Sequence, residues 1–311
     1  MSERPLVIVT EQLADEAFEW LAERCDVIRA APSEPRFTQV AERVDALVVR
    51  TYTRVDDALL ARLPKLRVVG RGGVGLDNID LDACARRSIC VVSTPDANTQ
   101  AVVEYVTCML CDALRPRVPL VEPLAKAEWD RLRDEDLVAL WQMNELTLGI
   151  LGFGRIGRRV AQVARAIGFD VRFHDLLGIP DDQHHGSVPV DLRTLFATSD
   201  VITIHVDGRS SNRHFVGERL LALMKTDAIL VNTSRGMVID HDALGVWLRA
   251  NPAGMALLDV HDPEPITADN PVLGLDNAHL FPHLASRTQT AMNNMSWVVR
   301  DVVAALAGSA E

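Results

Sequence analysis

Lysine is scarce in this 311-residue sequence: Lys65, Lys126 and Lys225 are the only three among 32 basic residues. Few positions are therefore left for Schiff-base chemistry through an amine. The 43 acidic residues outnumber the basic ones and set a formal charge of −11. That field repels phosphate backbones and argues against a nucleic-acid partner. Cys25, Cys84, Cys90, Cys108 and Cys111 make an odd count, unsuited to a disulfide framework and in keeping with a reducing compartment. Cys108 and Cys111 form a CxxC with no second pair to complete a metal site, so core packing inside a helix is expected for them. No apolar run is long enough to span a bilayer, since Val102–Leu114 carries Glu104 and Asp112. The opening MSERPLVIVT runs into a strand without a cleavage site. A cytoplasmic protein without a membrane partner is expected.

What is present is ordinary globular chemistry, 48% hydrophobic, at a length that suggests two domains. Short apolar runs (PLVIV, DVIRA, DALVVR, LRVVG, SICVV) alternate with amphipathic stretches at about 12–24, 37–43, 57–63 and 81–87. This βαβα order predicts a parallel sheet with helices on both faces. A long helical region near 98–128, interrupted around Pro116 and Pro119, and a polar connection over 129–146 lead to a second series: TLGILG, DVRFHD, DVITIHV, AILVNTS, GMALLDV and AHLFPH. One long helix is expected over 286–307.

The second series opens on a glycine turn. Gly152, Gly154 and Gly157 give GxGxxG directly after an apolar strand, and an amphipathic helix follows with Ala161 on its packing face. Such glycines permit a tight turn, close approach to a pyrophosphate, and close helix–strand contact, while the helix N-terminus offers free N–H groups. The next strand ends in Asp175, placed to bind the adenosine ribose hydroxyls and to repel a 2′-phosphate. The pattern predicts a dinucleotide, NAD rather than NADP.

Three later strand ends deliver Arg235, Glu264 and His283 toward the crevice where open parallel sheets bind ligands. Hydride transfer from a hydroxy acid to a nicotinamide uses those three types. An imidazole moves the hydroxyl proton, a carboxylate fixes its tautomer, and a guanidinium fork holds and polarises the substrate. His205, at another strand end, is expected near the cofactor, while His184 and His185 read as a solvated loop.

These motifs are similar to those of the D-isomer-specific 2-hydroxyacid dehydrogenases. LGFGRIG resembles their nucleotide turn, LVNTSRG carries the arginine at Arg235, LDVHDPEP the glutamate at Glu264, and FPHLAS the histidine at His283. The resemblance implies two Rossmann-like or flavodoxin-like doubly wound parallel-sheet domains with a cleft between them. Residues 1–97 with 286–311 would form the substrate domain, and 98–285 an inserted NAD-binding domain. It implies catalysis by Arg235, Glu264 and His283. Cofactor contacts would come from Gly152, Gly154, Arg155, Ile156, Gly157, Asp175, His205, Val206, Thr233, Ser234 and Asp259. No metal is implied.

Within that family the sequence is most similar to the D-3-phosphoglycerate dehydrogenases. VRTYT supplies Arg50 and VGRGGVG supplies Arg71, two cations suited to a phosphate, and the amides of Val74 and Gly75 would hold the substrate carboxylate. The implied substrate is 3-phosphoglycerate, with hydroxypyruvate or glyoxylate as the alternative. An NAD-sensing corepressor is the reading of a different class. EWDR, with Trp129 and Arg131, resembles the family's dimerisation segment, so a homodimer is implied. The short stretch after His283 leaves no room in this sequence for a C-terminal regulatory domain. Three departures stand out: Asp207 in place of the usual proline two residues after His205, expected to loosen that loop; Phe281 in place of threonine; and His261 in place of an aromatic.

Overall fold

The computed structural model describes residues 4–308, so the outermost ends of the expected first domain, 1–3 and 309–311, lie outside the described residues. The chain forms two compact units: one runs to Ala101 and resumes at Ser286, the other is Val102–Ala285.

The first unit holds strands β1 (Leu6–Val9), β2 (Asp26–Arg29), β3 (Ala46–Val49), β4 (Val68–Arg71) and β5 (Cys90–Ser93). All are parallel, in the order β2-β1-β3-β4-β5, the flavodoxin-like arrangement with its switch point between β1 and β3. Val49, Leu47 and Phe37 pack on one face, and Val48, Leu21 and Val302 on the other. This two-sided burial explains why β3 reads as an unbroken apolar run rather than an alternation.

The second unit holds β6 (Thr147–Leu151), β7 (Asp170–His174), β8 (Val188–Pro189), β9 (Val201–Ile204), β10 (Ile229–Asn232), β11 (Met255–Leu258) and β12 (Ala278–Leu280). Its order, β12-β11-β10-β9-β6-β7-β8, is again wholly parallel. It is the Rossmann order extended by one strand, with the switch point between β6 and β9. The expectation of two doubly wound parallel-sheet domains is met.

Some local expectations are not. The C-terminal helix is two helices, Gln289–Ser296 and Val298–Gly308, broken at Trp297. Ser296 accounts for the break: its hydroxyl donates to the Met292 carbonyl at 2.8 Å and accepts from the Ala14 amide at 3.0 Å, a back-bond that bends helices. The stretch 129–146 is not simply polar, because Trp129, Val138, Leu140 and Trp141 are exposed there around a short helix Lys126–Arg131. Cys108 is exposed and Cys111 only half-buried, so the CxxC is not core packing, whereas Cys25 and Cys84 are buried. Among the described residues no helix is long and apolar enough to cross a membrane, and no cluster of ligands suits a metal.

Candidate active site

The end of β6 builds the phosphate turn. Gly152 adopts φ +91, and a Cβ there would lie 2.8 Å from the His205 carbonyl group at the end of β9, so glycine alone lets the two strand ends meet at the switch point. A Cβ on Gly157 would fall 2.1 Å from the Gly152 oxygen, whereas one on Gly154 would meet nothing within 4 Å. The space before the helix Arg155–Ile167 is therefore open. The first amide bonded back within this helix is that of Arg158, to the Gly154 oxygen at 3.0 Å, so the N–H groups of Arg155, Ile156 and Gly157 face outward from its positive end. Ala161 is fully buried, as its position on the packing face requires.

Asp175 follows β7. Its carboxylate accepts the Phe153 amide at 2.6 Å and the Leu177 amide at 2.8 Å, which ties it to the glycine turn rather than leaving it a solvated strand end. At β9, the Thr203 hydroxyl lies 3.0 Å from His205 Nε2. Burial of the ring pushes the His205 pKa down to about 3, so this imidazole is neutral at any physiological pH. The loop beyond it is braced rather than loosened by Asp207. Arg209 Nε donates to Asp207 Oδ1 at 2.7 Å, a second guanidinium nitrogen reaches Oδ2, and Asn212 binds the Asp207 carbonyl at 2.9 Å. An ion pair replaces the ring constraint of the missing proline.

After β10, Asn232 organises a turn that sequence reasoning did not single out. Its Oδ1 accepts from the Ser234 amide and hydroxyl at 3.0 and 2.8 Å, and its Nδ2 donates to the Arg235 carbonyl at 3.0 Å. The Thr233 hydroxyl beside it is buried without a protein partner, a polar atom that a cofactor donor or acceptor would satisfy.

The β11 and β12 ends supply the acid–base pair. His283 Nδ1 lies 2.8 Å from Glu264 Oε2, both side chains about one-third exposed. His283 adopts φ +56, unusual for a non-glycine residue. Asp259 enforces it: its carbonyl accepts the His283 amide at 2.9 Å, and its fully buried carboxylate accepts the amides of Leu284 and Ala285 at 2.7 and 2.8 Å. Tyr105, also missed in the sequence, feels the same carboxylate; burial and that anion push its phenol up to about 12. Asp259 thus serves as an internal anchor. Burial acts to raise the Glu264 pKa, but the hydrogen bonds from His283 and from the His261 amide (2.9 Å) outweigh it and hold the carboxyl below its ordinary 4.5. His261 takes its aromatic position by binding the Phe281 carbonyl through Nε2 at 2.8 Å. His184 is not in a solvated loop: Nε2 binds the Ile179 carbonyl at 2.9 Å and the ring meets Phe173 edge-on.

In the first unit, Arg50 follows β3 and is half-buried. Arg71 ends β4, is 9% exposed, and folds over its own turn with Nη1 3.3 Å from the Gly72 carbonyl. The Val74 and Gly75 amides, among the described residues, carry no protein acceptor.

The glycine turn, open helix end, orphan Thr233 hydroxyl and Asp175 fit a dinucleotide, and the comparisons agree. The model of the D-isomer specific 2-hydroxyacid dehydrogenase NAD-binding domain matches residues 107–285. The chain is 36% identical over 96% of both chains to an (S)-sulfolactate dehydrogenase of Chromohalobacter salexigens. It is 35% identical to a glyoxylate reductase of Aeropyrum pernix, covering 98% of this chain and 93% of that one. A D-3-phosphoglycerate dehydrogenase of Archaeoglobus fulgidus is 31% identical over 97% of this chain but only 57% of its own length. These similarities do not single out the phosphoglycerate enzymes, contrary to the motif-level expectation. The crystal structure of D-lactate dehydrogenase from Aquifex aeolicus with NAD and lactic acid superposes with a TM-score of 0.83 at 26% identity, over 98% of this chain and 96% of that one. The chain is an NAD-dependent oxidoreductase belonging to the D-isomer specific 2-hydroxyacid dehydrogenases.

Proposed function

We propose that this enzyme interconverts a small D-2-hydroxy acid and its 2-keto acid when that substrate carries a second anionic group, with 3-phosphoglycerate as the first candidate. The observation that carries the reading is Arg50 at the end of β3, together with the unengaged Val74 and Gly75 amides beyond β4. One cation suits a phosphate or sulfonate, and the amides suit the carboxylate. The sulfolactate and phosphoglycerate relatives act on substrates of that kind by their names.

In this reading His283 accepts the hydroxyl proton on its second ring nitrogen during oxidation and returns it during reduction. Glu264 fixes the tautomer through Nδ1 and stabilises the imidazolium. Arg235 binds the carboxylate and polarises the carbonyl. Bound nicotinamide supplies the hydride acceptor or donor. Asp175 selects NAD: Asp175→Asn should shrink the NADH over NADPH preference in kcat/KM by about tenfold or more, roughly the worth of one close charge repulsion. A wild-type enzyme that favours NADPH would overturn this assignment.

The test of substrate class is a panel. Neutralising Arg50 (Arg50→Gln) should harm 3-phosphohydroxypyruvate or 3-sulfopyruvate reduction about ten- to a hundredfold more than glyoxylate reduction, the range for a charge-assisted hydrogen bond. Equal losses favour the second reading, a glyoxylate or hydroxypyruvate reductase. The buried Arg71, folded over its own turn, gives that second reading some support, because it leaves one readily reached cation rather than two for a phosphate.

A homodimer formed through 118–141 belongs to the same proposal. Val121 is 93% and Leu140 88% exposed there, an apolar patch of the kind that marks an interface. The cytoplasm is the compartment that fits free cysteines.

A further inference from the structure

The switch point of the first sheet, between β1 and β3, is where an open parallel sheet ordinarily receives its ligand. In this chain it is filled from within. Glu11, two residues beyond β1, places its carboxylate against four consecutive amides of the loop after β3. Oε1 accepts from Arg50 at 3.0 Å, Tyr52 at 3.2 Å and Thr53 at 3.0 Å. Oε2 accepts from Thr51 at 2.9 Å and Tyr52 at 3.1 Å. Successive N–H groups converging on one point form an anion nest of the type that binds phosphates, and here the anion is a side chain of the same unit.

The rest of the loop is held in the same way. Asn78 Nδ2 donates to the carbonyls of Arg50 at 2.9 Å and Thr53 at 2.7 Å, and the Thr10 and Thr53 hydroxyls meet at 2.7 Å. Amides and carbonyls of one four-residue loop are thus both engaged. What the loop leaves available is the Arg50 side chain, whose Cγ lies 3.4 Å from the position a Cβ on Gly72 would occupy, with Nη1 3.3 Å from the Gln12 carbonyl.

We propose that Glu11 is a positioning residue for substrate. By occupying the nest it denies those amides to the substrate's second anionic group and fixes the loop, so that this group must be met by the Arg50 guanidinium. This rests on the reading of Arg50 as a substrate contact. Supporting it, burial and the nearby guanidinium of Arg287 both lower the Arg50 pKa, the electrostatic cost of holding this cation where an added anion would relieve it. The four bound amides act in the opposite sense on Glu11, keeping its carboxyl ionised below its ordinary value although burial alone would raise it.

The experiment uses the full-length enzyme with Glu11→Ala, Glu11→Gln, Arg50→Gln and the Glu11→Ala/Arg50→Gln double variant. Hydrogen exchange of the 50–53 amides without substrate reads the clamp directly. Protection should fall in Glu11→Ala, persist in part in Glu11→Gln, which keeps one carbonyl oxygen, and be restored to Glu11→Ala by added formate, a carboxylate small enough for the emptied nest. With 3-phosphohydroxypyruvate, KM should rise about tenfold in Glu11→Ala while kcat changes little, matching the loss of one charge-assisted contact. Formate should lower KM again, and the double variant should be no worse than Arg50→Gln alone, because both changes act through one contact. Retained protection in Glu11→Ala overturns the clamp. Lost protection with KM unchanged, while Arg50→Gln raises KM, overturns the positioning role and leaves the substrate reading intact. If neither variant changes KM, the substrate reading of Arg50 falls and the proposal falls with it.

Discussion

His283→Ala is expected to lower turnover at least about a hundredfold, the low end for removal of a general acid–base, while NADH still binds. The imidazole is held for this task from two sides. Its Nδ1 meets Glu264 at 2.8 Å, which commits the other nitrogen to proton exchange, and its left-handed backbone is pinned by Asp259. The pH dependence of the pair follows from Glu264. Because the folded protein lowers its pKa below 4.5, the stabilisation it exchanges with His283 is fully present above the unfolded value and is lost only as pH falls through the lowered one. Protonation of Glu264, whose pKa lies below the ordinary 4.5, is therefore not the cause of a loss of activity that sets in above that ordinary value. Steady-state rates across pH, with NADH titration of the variant by fluorescence, check both points. Turnover of His283→Ala within tenfold of wild type would remove His283 from the acid–base role.

How much of this was legible beforehand depends on how local the signal is. The central strands could be read because parallel strands buried on both faces become short apolar runs, as in LVIV and ALVV, and the more exposed outer ones followed from the alternation with helical stretches. The two-residue β8 (Val188–Pro189) could not, since it carries almost no side-chain pattern and exists only through pairing with β7. The glycine turn was legible because backbone approach leaves a mark in composition: Gly157 tolerates no Cβ. Glu11, Tyr105 and Asn232 were not. Each acts on residues that only the fold makes its neighbours, and an isolated acid, phenol or amide carries no periodicity. Asp207 misled for a related reason. Loss of proline predicts looseness from one position alone, whereas the partner that restores rigidity, Arg209, lies two residues on and declares itself only as an ion pair.

The arginine at β10 tests whether the remaining chemistry is electrostatic. Arg235→Gln is expected to cut kcat/KM by about 10²–10³, or ~2.7–4 kcal/mol, the scale for removing a preorganised donor aimed at a reacting oxygen. Arg235→Lys should recover only part of it, because an ammonium keeps the charge but not the two-pronged fork that matches a carboxylate. The loop around the side chain should survive either change. Its backbone is held by Asn232, and Gly236 packs so closely that a Cβ there would fall 2.0 Å from the His261 carbonyl group. None of these backbone contacts uses the guanidinium, which donates among others to the Ser234 carbonyl at 2.7 Å. Unfolding temperature and NADH affinity should therefore stay near wild type, so that the lost activity belongs to substrate and transition state. A loss of less than about tenfold in Arg235→Gln would mean that the carbonyl is polarised by another group. The Val74 and Gly75 amides, which carry no protein acceptor among the described residues, would then be the groups to test.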